Sequence, residues 1–251
     1  MSVMEQRETW LADVMIELAD SLDVRESAYL NILTRRLSEL VSPAEIGLLV
    51  TTDTGSLTTA AASSARMRDL VSVESRIKEG PCTTSHGTGQ QLRQQTLDTV
   101  DARWPRFGPA AREAGFASVS AYPLRRRAET LGAVCVLAPA QQSSDNIQLG
   151  LIGIVTEAAA IGLSHQRTYR QSQRRVEQLQ RALHSRVVIE QAKGIVAAWR
   201  TITPDDAFEA LRGHARRNGH RLSAVAEEVV QGQLSDEQLA PKGDGASSGS
   251  G

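Results

Sequence analysis

The sequence predicts an α+β fold: an N-terminal antiparallel sheet flanked by helices, a helical linker and a C-terminal three-helix domain. Two observations support this prediction. Strand-like runs of β-branched and small apolar residues, separated by turn residues, lie before residue 140. After them no proline interrupts residues 146–199, where apolar residues recur at helical spacing.

The first domain is expected over residues 1–165. Apolar residues at helical spacing indicate its first two helices, and Pro43 ends the second. Polar and glycine turn chemistry at Asp53–Ser56 separates the first two strands. In chain order we expect helices over 10–22 and 30–40, two strands within 47–63, a helix over 64–78, a loop opening into a short helix over 79–92, and strands over 118–123 and 131–137.

A helical linker is expected over residues 166–184. Apolar residues recur every seven positions at Val155, Gly162, Tyr169, Val176 and Leu183, with Leu179 at a partner position. The other partner positions are polar, which leaves a dimer seam and a solvated linker helix as alternatives.

A three-helix domain is expected over residues 185–234. Its second helix has Thr203 as N-cap and Pro204 at the first helical position, and it ends at Asn218-Gly219. A third helix begins near Ser223. Residues 235–251 are small and polar, so we expect a disordered tail.

Gly194 lies inside the first of these three helices, where glycine costs about 0.5–1 kcal/mol relative to alanine. On a helical wheel Gly194 lies opposite the apolar face, and Lys193 and Arg186 share its outer half. The glycine therefore leaves a flat, exposed piece of helix, unless it is simply a tolerated surface residue. The predicted core face comprises Val188, Ile189, Ala192, Ile195, Val196 and Trp199.

Clustered arginine is typical of phosphate binding, although it also occurs on solvated faces. Residues 166–200 contain eight basic and two acidic residues, a charge of +6, and Arg212 and Arg216 share a face of the next helix. The third helix has no basic residue and carries Glu227 and Glu228, which a duplex groove lined by phosphates would repel. This distribution suits a looped RNA better than duplex DNA.

The segment Ser185–Val230 resembles an ANTAR domain, through its elements IEQAKG (189–194) and AF..LR..AR (207–216). The resemblance implies an RNA-binding module of transcription antitermination regulators, which binds paired hairpins with six-nucleotide loops and prevents a terminator from forming. By position, it implies that the RNA-binding residues are Ala192, Lys193, Gly194, Arg212 and Arg216. Our own wheel places Ala192 in the core instead.

Residues 25–165 resemble a GAF domain of the kind that precedes ANTAR in actinobacterial regulators. The motifs are EGPC (79–82), DARWPRF (101–107) and YPLRRRAETLGAVCVLA (122–138). The resemblance implies a sensor with a pocket for an unknown small-molecule ligand, or a dimerisation domain. Cys82 is a candidate ligand-binding or redox residue, with a buried structural thiol as the alternative. His86 is expected to be a loop histidine.

Composition and motifs argue against several other classes of protein, namely membrane proteins, metal proteins and enzymes. The 251 residues are 41% hydrophobic and 23% charged with a net charge of −1. We see no signal peptide and no window close to the about 20 apolar residues of a bilayer span, so we expect a cytoplasmic protein without a membrane partner. Two cysteines are too few for a metal site of their own, and no phosphate-binding loop or nucleophile elbow is present. We therefore expect no metal, no cofactor and no enzyme activity.

These expectations combine into a homodimeric, signal-responsive regulator that binds RNA hairpins. Two alternatives remain open at this stage. The first alternative is a sensor and protein-interaction module whose basic helices bind a partner protein. The second is a regulator that binds duplex DNA.

Overall fold

The computed structural model describes residues 3–99, 102–139 and 146–239. The chain divides into two compact units, Met1–Arg170 and Gln171–Gly251. The predicted α+β class is confirmed, with an antiparallel sheet and flanking helices in the first unit and helices in the second.

The first unit is built on a five-stranded sheet in the order β2-β1-β5-β4-β3, and every neighbouring pair is antiparallel. Successive side chains of a strand point to opposite faces, so both faces of β1 contribute to a core. Leu48 and Val50 pack in one hydrophobic cluster and Leu49 in the other. The strands are β1 (Glu45–Thr51), β2 (Leu57–Ala62), β3 (Leu92–Thr96), β4 (Ser118–Arg126) and β5 (Glu129–Ala138).

Helices cover both faces of this sheet. One cluster joins it to α1, α2 and the first part of α6, and the other joins it to α3, α4 and α5. The helices are α1 (Val3–Asp20), α2 (Glu26–Val41), α3 (Ala65–Ile77), α4 (Pro81–Thr88), α5 (Phe107–Glu113) and α6 (Asn146–Arg200).

Strand β3 and helix α5 were not predicted from the sequence. The β3 sequence LRQQT has no apolar alternation and lies at the sheet edge, so nothing in its composition marks a strand. Helix α5 has only seven residues and includes a glycine and a proline. The start of α5 is stabilised by a residue far away in sequence, because the Glu79 carboxylate accepts the amide protons of Arg106 at 2.6 Å and Phe107 at 3.0 Å.

The predicted seven-residue repeat is divided between the core and the surface. Val155 is 0% exposed and belongs to the core of the first unit. Tyr169, Val176 and Leu183 of the same repeat are exposed, at 65%, 45% and 66%. A neighbouring row, Ile147, Ile154 and Ile161, is also exposed, at 57%, 52% and 46%. The domain boundaries predicted at residues 165 and 184 both fall inside the continuous helix α6.

Gly162 of α6 is required by close packing against Tyr29. A Cβ atom at residue 162 would overlap the Tyr29 hydroxyl oxygen and lie 2.9 Å from Cζ. The Tyr29 ring is 1% exposed, and its hydroxyl donates to the Ala159 carbonyl at 3.2 Å. Burial raises the pKa of Tyr29 to about 12, so the hydroxyl stays protonated.

We expect Gly162→Ala to lower the free energy of unfolding of the first unit by about 1–3 kcal/mol, the usual cost of overpacking. The measurement is thermal or denaturant unfolding of the full chain. Adding Tyr29→Phe, which removes the overlapped oxygen, should recover part of the loss. An increase in stability from Gly162→Ala alone, as expected for an ordinary helix interior, would contradict this packing.

Part of α6 is apolar enough to cross a membrane by length and composition. An 18-residue window within Ile147–Arg200 has a mean hydropathy of 1.6, and 44% of it is buried inside the protein. This finding qualifies the expectation that no window approaches a bilayer span. The apolar side chains Ile152, Val155 and Ala159 are all 0% exposed and pack in the first core cluster.

The second unit packs the last part of α6 against α7 (Pro204–Asn218) and α8 (Leu222–Val230). The α7 ends are as predicted. The Thr203 hydroxyl accepts the Asp206 amide proton, and Gly219 adopts the left-handed conformation with φ of 66°. In the predicted core face of α6, Val188, Ala192 and Val196 are buried, but Trp199 is 42% exposed.

Residues 235–239 pack against this unit, contrary to the disordered tail predicted over 235–251. A short helix α9 (Asp236–Leu239) follows α8, and Leu239 is 1% exposed. Arg200 forms an ion pair with Asp236 and also donates to its carbonyl at 3.1 Å. Residues 240–251 lie outside the part of the chain that the structure describes.

Candidate nucleic-acid interface

The predicted exposure of Gly194 is confirmed. No atom outside its own helix backbone lies within 4 Å of the position that a Cβ would take. Gly194 therefore leaves a bare stretch of helix backbone open to close approach from outside. Arg186 is also exposed, and it precedes Lys193 by seven residues, which is about two turns along the same side of the helix.

Lys193 lies across the contact between α6 and α7. Its Nζ atom is 3.0 Å from Glu190 Oε2 and 5.8 Å from the centre of the Phe208 ring. Its side chain keeps only 17% of its surface. An ammonium over an aromatic face is attracted by the ring quadrupole. Lys193 is therefore held in place by α7, which the wheel of α6 did not predict.

Arg212 and Arg216 continue this surface along α7, at one and two turns beyond Phe208. Arg212 contacts Glu209 at 3.3 Å and keeps 43% of its side-chain surface. Arg216 is exposed, and among the described residues no acidic side chain forms an ion pair with it. We call Arg186, Lys193, Gly194, Arg212 and Arg216 the basic surface of the second unit.

Ala192, implied by the resemblance as an RNA contact, does not belong to this surface. It is 0% exposed and lies in the core with Val196 and Leu211. A methyl group enclosed in this way has no surface to offer a ligand. The placement agrees with the wheel and corrects the position implied by the resemblance.

Several arginines of the +6 segment are engaged within their own unit. Arg167 pairs with Glu26, and Arg170 donates to the Val24 carbonyl at 2.8 Å. In the second unit Arg200 pairs with Asp236. Outside the segment, Arg217 of α7 is also engaged, because it donates to the Leu239 carbonyl at 3.4 Å. The charge available to a polyanion is therefore smaller than the sequence count and more localised.

The motifs EGPC and DARWPRF of the first unit contact each other. Besides the Glu79 contacts with the start of α5, the Trp104 indole donates to the Thr84 hydroxyl at 2.9 Å. Trp104 and Phe107 are buried and pack edge to face, with ring centres 6.0 Å apart. These aromatic side chains fill this face of the sheet. Asp101 of the second motif lies outside the described residues.

Cys82 is in helix α4 rather than in a loop, and it is 0% exposed. Its thiol donates to the Ala133 carbonyl at 3.5 Å. Burial raises the pKa of both Cys82 and Cys135, so these thiols stay protonated and react poorly with solvent oxidants. His86 is also in α4, with Nε2 3.0 Å from the Thr51 hydroxyl.

A polar cavity of about 480 Å³ opens at one end of the sheet of the first unit. Its lining includes Gln91, Tyr122, Arg125, Arg127 and Glu157. The Tyr122 hydroxyl is buried and has no hydrogen-bond partner among the described residues, and burial raises the pKa of Tyr122 to about 12. The volume is in the range of small-molecule sites, which makes this cavity a candidate for the ligand expected of the sensor.

Comparison with known proteins gives each of the two units a family match. The family model for the GAF domain matches residues 6–163, more than half of the chain, and the model for the ANTAR domain matches residues 177–230. The chain belongs to the GAF domain family, and its C-terminal part carries an ANTAR match. GAF domains are known for signal sensing and ANTAR domains for RNA-binding antitermination.

A solved structure with a TM-score above 0.5 agrees on the fold of the first unit. The GAF domain from Acinetobacter phosphoenolpyruvate-protein phosphotransferase is 12% identical with a TM-score of 0.52, covering 67% of this chain and 97% of that chain. A GAF domain/HD domain protein from Geobacter sulfurreducens is 19% identical with a TM-score of 0.48, and the match covers 60% of this chain and 98% of that chain. No curated protein matches this chain.

Proposed function

We propose that this protein is a dimeric, signal-responsive antitermination regulator of the actinobacterial GAF–ANTAR type, which binds paired RNA hairpins. The observation that carries the proposal is the basic surface on α6 and α7 within the segment that matches the ANTAR domain. An open Gly194 beside Lys193 lets a nucleotide approach the helix backbone, while arginines on the next helix supply phosphate contacts.

Looped RNA is a better ligand for this surface than a duplex. Recognition of RNA loops uses unstacked bases, aromatic side chains and cations. The half-buried Phe208 ring lies beneath Lys193, between the two helices that carry the basic surface. Helix α8, the third helix of the unit, presents Glu227 and Glu228 and has no basic residue for reading a major groove.

The direct test is transcription in vitro from a template that encodes two adjacent hairpins ahead of a terminator. The purified protein should increase readthrough on this template and leave readthrough unchanged when both loop sequences are scrambled. Equal readthrough on the two templates would contradict the proposal. In that case selective binding to duplex DNA, or to a protein partner, would support one of the other two readings.

A homodimer is supported by exposed apolar residues at seven-residue spacing. In the first unit they are Ile147, Ile154 and Ile161, and Ile147 shares an apolar groove of about 370 Å³ with Met4 and Leu11 of α1. Such a stripe is the pattern by which two copies of one helix pair. Two linked effector units then bind two hairpins with a raised effective concentration. A signal that changes how the α6 helices of the two copies pair would alter the binding of the second hairpin.

Ile154→Glu is expected to convert the dimer into a monomer without unfolding it, because the side chain is 52% exposed and its removal leaves no cavity. Light scattering after size exclusion gives the mass, and circular dichroism checks the fold. Met15→Glu, at a 39% exposed apolar residue of α1 outside the groove lining, should keep the dimer. A monomeric wild type, or a dimer unaffected by Ile154→Glu, would contradict this interface.

A further inference from the structure

Three side chains of the kinds that bind metal ions meet inside the first unit, whereas the basic surface belongs to the second. They are Glu74 of α3, Cys82 of α4 and Cys135 of β5, and each is 0% exposed. Their ligand atoms, one carboxylate oxygen and two sulfurs, all lie within 4.8 Å of one another. The two cysteines are separated by 53 positions in sequence, so only the fold reveals the group.

Glu74 is bound through one oxygen only. Oε1 accepts the Thr83 amide proton at 2.8 Å, which ties the carboxyl group to the first turn of α4. Oε2 is buried and has no hydrogen-bond partner among the described residues. A buried oxygen without a partner costs free energy, and a bound cation would satisfy it.

The backbone around the group leaves room for this carboxyl group. Gly80, which precedes the Pro81–Cys82 start of α4, has a φ of 151°, and a Cβ atom there would lie 2.6 Å from Glu74 Cδ. A Cβ at Gly47 would overlap Val71 Cγ1 and Met67 Cε, and it would also lie 3.2 Å from Cys135 Sγ. Two side-chain-free positions therefore border the group, one at the carboxylate and one at a sulfur.

We propose that Glu74, Cys82 and Cys135 form a buried site for a thiophilic divalent cation, Zn²⁺. Two thiolates and a carboxylate are a ligand set that Zn²⁺ accepts, with bonds of about 2.3 Å to sulfur and 2.0–2.2 Å to oxygen. Ligands of one tetrahedral ion lie about 3.5–3.8 Å apart at those bond lengths. From separations within 4.8 Å, each pair of ligand atoms has to close by about 1.3 Å at most on binding.

Binding releases the protons of the two thiols and of the carboxyl group to solvent, and the ion and its three ligands carry a net charge of −1. The N-terminus of α4 lies at this group, because the Thr83 amide already donates to Glu74. The positive end of a helix dipole favours a negative charge there. The Ala133 carbonyl, which accepts from the Cys82 thiol at 3.5 Å, lies beside the group and offers the ion a further oxygen ligand.

The test uses the full chain, kept reduced with a non-thiol reductant and titrated with Co²⁺. We expect one equivalent to give the charge-transfer absorption of two thiolates on cobalt, and Zn²⁺ to abolish it. Wild-type protein that is folded but shows no thiolate–cobalt absorption would overturn the site, whatever the variants do.

Variants then assign the ligands. Glu74→Gln, nearly the same size, should weaken Co²⁺ binding by at least about 10-fold, the loss seen even for partners of metal ligands. Cys135→Ala should remove half or more of the charge-transfer intensity. His86→Ala, which changes another α4 side chain, should leave the titration unchanged. Full binding by folded Glu74→Gln and Cys135→Ala would overturn the proposal.

Discussion

Gly194→Leu is expected to lower the affinity for the paired-hairpin RNA by about 100-fold, equivalent to about 2.7 kcal/mol, while the protein stays folded. The reason is steric. Gly194 has no neighbour within 4 Å of a Cβ position, so the new side chain fits the isolated protein. It does, however, project from the helix where we place the RNA. Equilibrium binding and thermal unfolding measure the two effects separately.

Two matched variants sharpen this prediction. Gly194→Ala should increase stability by about 0.5–1 kcal/mol, as in any exposed helix interior, and should weaken RNA binding less than leucine does. Gly87→Leu introduces the same side chain at a helical glycine of α4 that is also open within 4 Å. It should leave RNA binding unchanged. A loss of several kcal/mol of stability in Gly194→Leu would place Gly194 in a core and contradict the account.

Replacing Arg212 and Arg216 together with alanine is expected to weaken RNA binding by about 10- to 100-fold and to flatten its salt dependence. Each lost phosphate contact should reduce the slope of log K against log salt by about 0.7–1. Arg216 is exposed and Arg212 keeps 43% of its side-chain surface, so the folded state should change little. Titrations at four or more salt concentrations give both quantities.

The control for this experiment is Arg217→Ala on the same helix. It removes one positive charge, as Arg216→Ala alone does, but Arg217 donates to the Leu239 carbonyl and holds α9 instead of forming part of the basic surface. We therefore expect almost no change in the salt slope. Equal effects of Arg216→Ala and Arg217→Ala would mean that RNA responds to total charge and not to the proposed surface.

The sequence predicts well what short-range chemistry determines. Thr203 and Gly219 cap α7 as expected, because capping depends on a few neighbouring residues. The exposure of Gly194 and the burial of Ala192 also follow from the wheel alone, because both lie in the middle of a regular helix.

The predictions that failed depend on how helices and strands pack together, which the sequence of a single helix does not contain. A wheel gives direction around a helix axis but not how far the partner helices extend, so Trp199, one residue before the end of α6, is exposed instead of buried. Val155 of the seven-residue repeat is buried because the sheet, α1 and α2 pack against that face of α6, which the repeat itself does not indicate. The place of Phe208 beneath Lys193 depends on how α6 and α7 cross, which the sequence of either helix does not contain.

The Glu74–Cys82–Cys135 group also could not be predicted from the sequence, because only the fold brings these three residues together. From the sequence, two cysteines were too few for a metal site, and Cys82 was assigned to a loop. The third member of the group is Glu74, near the C-terminal end of α3, and a charged residue of a surface helix ordinarily lies on the solvated face. Burial instead raises the pKa of Glu74 to about 8.

The most direct measurement of the central claim is the ratio of two dissociation constants, for an RNA with two adjacent hairpins and for the same RNA with scrambled loops, at one fixed salt concentration. If the basic surface reads hairpin loops, the intact RNA should bind at least about 10-fold more tightly, a difference of about 1.4 kcal/mol. Gly194→Leu should reduce the ratio to about one. Equal affinity of wild-type protein for the two RNAs would contradict loop recognition and leave only a basic surface that attracts phosphate.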